Sequence, residues 1–180
     1  MITHQQMAEL YGEGNLVRPS EVEIDRLGLR SVDARVLGET GIPRYSPPFF
    51  SALVEGGPAF LEVIDIPLPD GGSHREVIIG GPPGDPGFRF SVDAREGFVT
   101  LAQLRGTPRA EVVNRDLEEF VEFLYLIDLH QRRAMGSGDA AGEFEKLSHH
   151  LRGLNPISFE RPENWWSMAL EYVAGEEGDE

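Results

Sequence analysis

His149 and His150 are adjacent, and Glu145 lies four residues before His149. On a helix Glu145 and His149 share a face and offer two ligands to a metal. Two ligands do not make a site, and His4, His74 and His130 fall in separate segments. Exposed histidines near the negative end of a helix are the simpler reading. The run Gly80-Gly-Pro-Pro-Gly-Asp-Pro-Gly87 has the glycines of a phosphate-cradling loop. Such a loop needs free amide donors, a lysine and a helix behind it. Here three prolines remove donors, no lysine is present and a strand pattern follows, so the run reads as an inter-strand loop. Gly136-Ser137-Gly138 lacks the G-x-S-x-G spacing that exposes a serine nucleophile. Asp65 with Asp70, and Asp93 with Glu96, are close acid pairs, but 31 acidic residues produce such pairs by chance on a solvated face. The expectation is therefore no catalytic residue, no metal and no cofactor.

The elements that must position any site read as one α+β domain over residues 1–175, with an acidic tail at 176–180 expected to be disordered. Thr3 is placed to cap a short helix carrying Met7 and Leu10, and residues 13–30 read as loop, with Pro19 as a breaker. Ser31 reads as the cap of a second short helix, stopped by Gly41 and Pro43. Five strand patterns follow, over 59–66, 75–79, 88–92, 98–104 and 110–113. The Asp93-Ala-Arg-Glu-Gly97 linker fits a tight hairpin, which implies a mostly antiparallel sheet. Asn114 reads as the cap of a long amphipathic helix carrying Leu117, Phe120, Val121, Leu124 and Ile127. After a break at 136–138, a second helix is expected over 139–151. A last one begins at Pro162, carries Trp165 and Trp166, and ends at Gly175. At most one of the two tryptophans can face the core centre; the other is either a core edge or an exposed interface anchor, with packing the favoured reading.

The formal net charge is -15. Phosphate backbones and anionic membrane surfaces are disfavoured partners, because both require a basic patch. A basic protein partner is favoured, since opposite fields speed encounter. Cysteine is absent, which excludes disulfides and thiolate sites and fits a reducing compartment. No signal-peptide pattern or membrane-length apolar run is present, so a cytoplasmic location is expected.

One ordered set of motifs resembles the SUKH superfamily, nearest the fourth clade of its immunity proteins. It runs Glu76-Val-Ile-Ile-Gly-Gly81, Phe88-Arg-Phe-Ser-Val-Asp93, Glu96-Gly-Phe-Val99 and Glu111-Val-Val-Asn114, then the helix Leu117-Glu-Glu-Phe-Val-Glu-Phe-Leu-Tyr125. Thr40-Gly-Ile-Pro43 upstream and the Trp165-Trp166 segment are similar to further family elements. Two departures stand out: Asn114-Arg115-Asp116 replaces the usual Asn-Ser-Ser/Asp, and the 80–87 loop is richer in proline. The resemblance implies an α+β binding protein that neutralises a polymorphic toxin, often a nuclease or deaminase. Regulatory scaffold modules of the same fold are the alternative, and a small hydrolase the reading from another class. The expected partner-contact residues are Asp85, Arg89, Asp93, Glu96, Asp65 and Asp70.

Overall fold

Thr3 opens the first helix as its capping residue: its hydroxyl accepts from the Gln6 amide while the Gln6 side chain reaches back to the Thr3 amide. This helix, α1 (His4–Tyr11), buries Met7, Leu10 and Tyr11. In the computed structural model, residues 1–107, 109–134 and 140–178 are described, with backbone alone for residues 140 and 176–178. The segment after α1 is more ordered than a loop. It contains the two-residue strand β1 (Leu16–Val17) and a short helix α2 (Glu21–Asp25), opened by a Ser20–Glu23 capping box immediately after Pro19. Pro19 thus precedes a helix here and does not break one. Helix α3 (Ser31–Arg35) runs into a wide π turn at Val36–Thr40, and Arg30, not Ser31, occupies its capping position. Strand β2 (Ile42–Pro43) pairs with β1, and β3 (Tyr45–Ser46) pairs with β4 (Phe50–Ser51).

The centre is one five-stranded sheet in sequence order, every neighbour antiparallel. Its strands are β5 (Val63–Pro67), β6 (Ser73–Gly80), β7 (Phe88–Asp93), β8 (Val99–Gln103) and β9 (Arg109–Asn114). The first starts later than the alternation suggests, because Ala59 to Glu62 form a turn with Leu61 at φ 63°. The 93–97 hairpin forms as expected: the Gly97 amide donates to the Asp93 carbonyl at 2.8 Å, with Gly97 at φ 84°. Strand alternation sends Phe90 and Val92 to one face and Arg89, Ser91 and Asp93 to the other. The first face packs on α4 (Leu117–Ala134), where Phe50, Phe90 and Phe120 meet ring to ring.

Helix α5 (Ala140–Leu154), a short turn at Pro156–Phe159 and α6 (Trp165–Gly178) complete the layer. Trp166 is fully buried between Phe120 and Phe123, and Trp165 lies half-buried against Phe90, so both tryptophans pack. Helix α6 starts at Trp165, after the turn containing Pro162, because Glu111 of β9 accepts the Trp165 amide at 2.9 Å and Asn164 Nδ2 at 3.0 Å. It continues through Gly175, which does not adopt the left-handed φ common at helix ends, and runs to Gly178. The expected break at 136–138 lies outside the described residues.

One end of the sheet is pinned at Gly80, the last residue of β6. Its φ is 147°, and an added Cβ would overlap the Ser51 carbonyl oxygen and the Phe50 ring. Two backbone hydrogen bonds join Ser51 and Gly81 there, at 2.9 and 3.0 Å. Gly80→Ala should therefore lose about 2 kcal/mol or more of unfolding free energy. A thermal melt within a degree or two of wild type would contradict this account.

Candidate partner interface

The β6–β7 loop, residues 81–87, is built stiff. Pro82, Pro83 and Pro86 fix their own φ, and the Asp85 carboxylate accepts the Gly87 amide at 2.8 Å. The Ser51–Gly81 bridge anchors its first residue. The loop stands as a ridge between two clefts that share Pro82, Pro83 and Asp85 as a wall. One cleft, of about 530 Å³, is lined by Tyr45, Leu53, Val54 and Glu55. The other, of about 440 Å³, reaches Phe88, Trp165, Met168 and Glu163.

Large apolar side chains are exposed around this ridge. Tyr45 is 53% exposed, Leu53 58% and Met168 45%. Tyr172, one turn beyond Met168, stacks its edge on Phe49. Glu55, Asp85 and Glu163 rim these side chains with negative charge, with Arg109 as the cation in the second cleft. Ser51 has its hydroxyl committed to the Leu53 carbonyl at 2.6 Å. An apolar centre, an acidic rim and a preformed loop suit capture of a partner surface.

The six expected contact residues do not gather in one place. Antiparallel order puts the β5–β6 and β7–β8 turns at one end of the sheet and the 81–87 loop at the other. The eight residues of β6 separate those ends by about 23 Å. Asp85 sits on the ridge. Arg89 begins beside it but is fully buried, donating to the carbonyls of Pro58 at 2.9 Å, Glu55 at 3.2 Å and Gly56 at 2.5 Å. It offers no side-chain surface to a partner and instead holds the 55–58 segment over the sheet. Burial without a carboxylate partner pulls its guanidinium below the ordinary arginine range.

Asp65, Asp70, Asp93 and Glu96 lie at the opposite end. Asp65 is paired with Arg75 at 2.8 Å, and Asp70 accepts the Gly72 amide at 2.9 Å. Asp93 is 5% exposed and accepts the Arg95 and Glu96 amides at 2.8 and 2.9 Å, so it shapes the hairpin turn. Glu96 is exposed beside Arg95. His149, His150 and Glu145 are all exposed on α5 and gather no third ligand among the described residues. The residues that sequence reasoning missed are Tyr45, Leu53 and Met168, which three separate segments bring to the ridge.

A five-stranded antiparallel sheet with helices layered on one face places the chain in the α+β class. The chain belongs to the SUKH-4 immunity protein family, whose family model matches residues 2–172. No match was found among curated proteins or solved structures. Among the described residues no helix is long and apolar enough to cross a membrane.

Proposed function

We propose that this protein neutralises a toxin by binding it through the ridge formed by the 81–87 loop and its two flanking clefts. Family membership supports the immunity role, and the exposed Tyr45, Leu53 and Met168 around a preformed loop are the observation that carries the placement. The net charge of -15 supports a basic toxin domain, of the kind that acts on nucleic acid. Rim carboxylates would speed capture, and the apolar anchors would slow release. Cytoplasmic action follows from the same reading, since the producing cell needs its antagonist where the toxin's target lies.

The test is binding kinetics against a toxin domain encoded by a neighbouring gene. Met168→Asp should accelerate dissociation about tenfold or more. Asp85→Lys with Glu163→Lys should slow association several-fold and flatten its salt dependence. If instead these variants bind as wild type while Asp65→Lys with Glu96→Lys abolishes binding, the contact lies at the other end of the sheet.

A further inference from the structure

The outer face of the sheet carries a group that neither the fold nor partner binding explains. Strand alternation places His74 and Glu76 two residues apart on one face of β6, and the register sets Glu76 directly opposite Asp93 on β7. His74 Nε2 lies 2.6 Å from Glu76 Oε1 and 3.7 Å from Asp93 Oδ2. One ligand atom from each residue falls within 4.8 Å of the others. Two carboxylates facing each other across central strands repel, and burial sharpens the cost. Glu76 is only 9% exposed, and its second oxygen, Oε2, is buried with no hydrogen-bond partner.

The neighbours do not relieve this. Ser91, two residues before Asp93 on the same face and opposite Ile78, bonds Thr100 at 2.8 Å. Arg30, whose field reaches Asp93, is committed to Asp33 at 2.7 and 3.2 Å. A charged His74 would answer Glu76 Oε1 and, at 3.7 Å, Asp93 Oδ2, but would leave Glu76 Oε2 without a partner. Asp93 is meanwhile held like an oriented ligand: its Oδ1 accepts two turn amides, which leaves Oδ2 turned to the imidazole.

We propose that His74, Glu76 and Asp93 bind a divalent metal ion, with zinc the best match. One imidazole nitrogen and two carboxylate oxygens suit a borderline cation and not the all-oxygen preference of calcium or magnesium. The ion replaces the proton between His74 and Glu76, gives Oε2 a partner and cancels the cross-strand repulsion. His74 is one-third exposed, so a further coordination position opens to solvent. This site lies at the sheet end away from the ridge and does not depend on toxin binding.

Zinc chloride titrated into the chelator-treated full chain at pH 7.5, read by calorimetry, should show one equivalent bound with micromolar Kd and a raised melting temperature. His74→Gln and Glu76→Gln should each weaken binding at least tenfold, and His149→Gln with His150→Gln should leave it unchanged. Should Glu76→Gln fail to fold, the His74 variant decides alone, since its side chain is partly solvated. A wild-type Kd weaker than about 1 mM, or a His74→Gln variant that binds as tightly as wild type, overturns the site.

Discussion

Glu119→Ala is expected to destabilise the protein by about 3–5 kcal/mol, the largest loss from any single polar side chain named here, at about 1–3 kcal/mol for each buried amide left without its acceptor. Glu119 is 7% exposed at the start of α4. Its Oε2 accepts from Asn114 Nδ2 at 3.1 Å, Asn155 Nδ2 at 2.7 Å and the Arg115 amide at 3.0 Å. Its Oε1 takes the Arg115 guanidinium at 2.9 and 2.6 Å. Asn114 in turn accepts the Trp166 indole N–H at 2.8 Å. One carboxylate therefore ties the end of β9, the first turn of α4 and the chain after α5, and through Asn114 the start of α6. The Arg115 pair contributes little, because that side chain is 62% exposed. The cost comes from the amides of Asn114 and Asn155, which lose their acceptor in a buried site. Glu119→Gln keeps one acceptor oxygen and should lose only about 1–2 kcal/mol. Urea unfolding of the two variants checks both figures, and a loss below about 1 kcal/mol for Glu119→Ala would contradict the network.

That network marks where sequence reasoning stops. The sheet and α4 are legible because their signals are local: the Asp93–Gly97 turn fixes one hairpin, and Leu117, Phe120, Val121 and Leu124 repeat at helical spacing. Asn114 also looked local, as the cap of α4. The structure gives that task to Asp116, whose carboxylate accepts the Glu119 amide at 2.8 Å, and to Asp33, which accepts the Leu117 amide at 3.3 Å from a distant helix. Asn114 is thereby freed to join Glu119 to Trp166. The short helix α2 was legible and passed over: Ser20 and Glu23 have capping-box spacing, but Pro19 drew attention as a breaker. At the ridge, the stiffness of the 81–87 loop follows from its prolines, and Asp85 lies on an exposed stretch of that loop. Arg89 alternates to the face away from Phe90, as the pattern requires. What covers that face, a segment more than thirty residues earlier, has no local signature. The same holds for Glu76 and Asp93, which only strand register sets opposite each other.

Asp128→Asn should stabilise the protein at pH 8 and lose that advantage as the pH falls. Asp128 is 7% exposed on α4, facing the small cleft between Tyr11, Tyr45 and Arg132. Burial lifts its carboxyl from 3.8 to about 6, against a smaller downward pull from the Tyr11 and Ser46 hydroxyls and from Arg132. Neither hydroxyl closes a well-formed hydrogen bond in return. The folded-state value lies above the unfolded one, so the folded chain holds this proton more tightly. Above pH 6 the folded state bears the full cost of a buried charge, about 3 kcal/mol for a rise of that size. Between pH 6 and 4 the cost fades, and below about pH 4 the carboxyl is neutral whether the chain is folded or not. The asparagine has nearly the same shape and no charge, so its gain is at most about 3 kcal/mol at pH 8 and close to zero at pH 4. Arg132 loses a counter-charge in the variant, which trims the gain but does not reverse it, because burial is the larger influence on Asp128. The measurement is the difference in urea unfolding free energy between the two proteins at pH 8, 6 and 4, which removes every titration they share. A difference that stays constant across that range, or one that favours the aspartate at pH 8, would show that Asp128 is held charged by its neighbours and does not sit there at a cost.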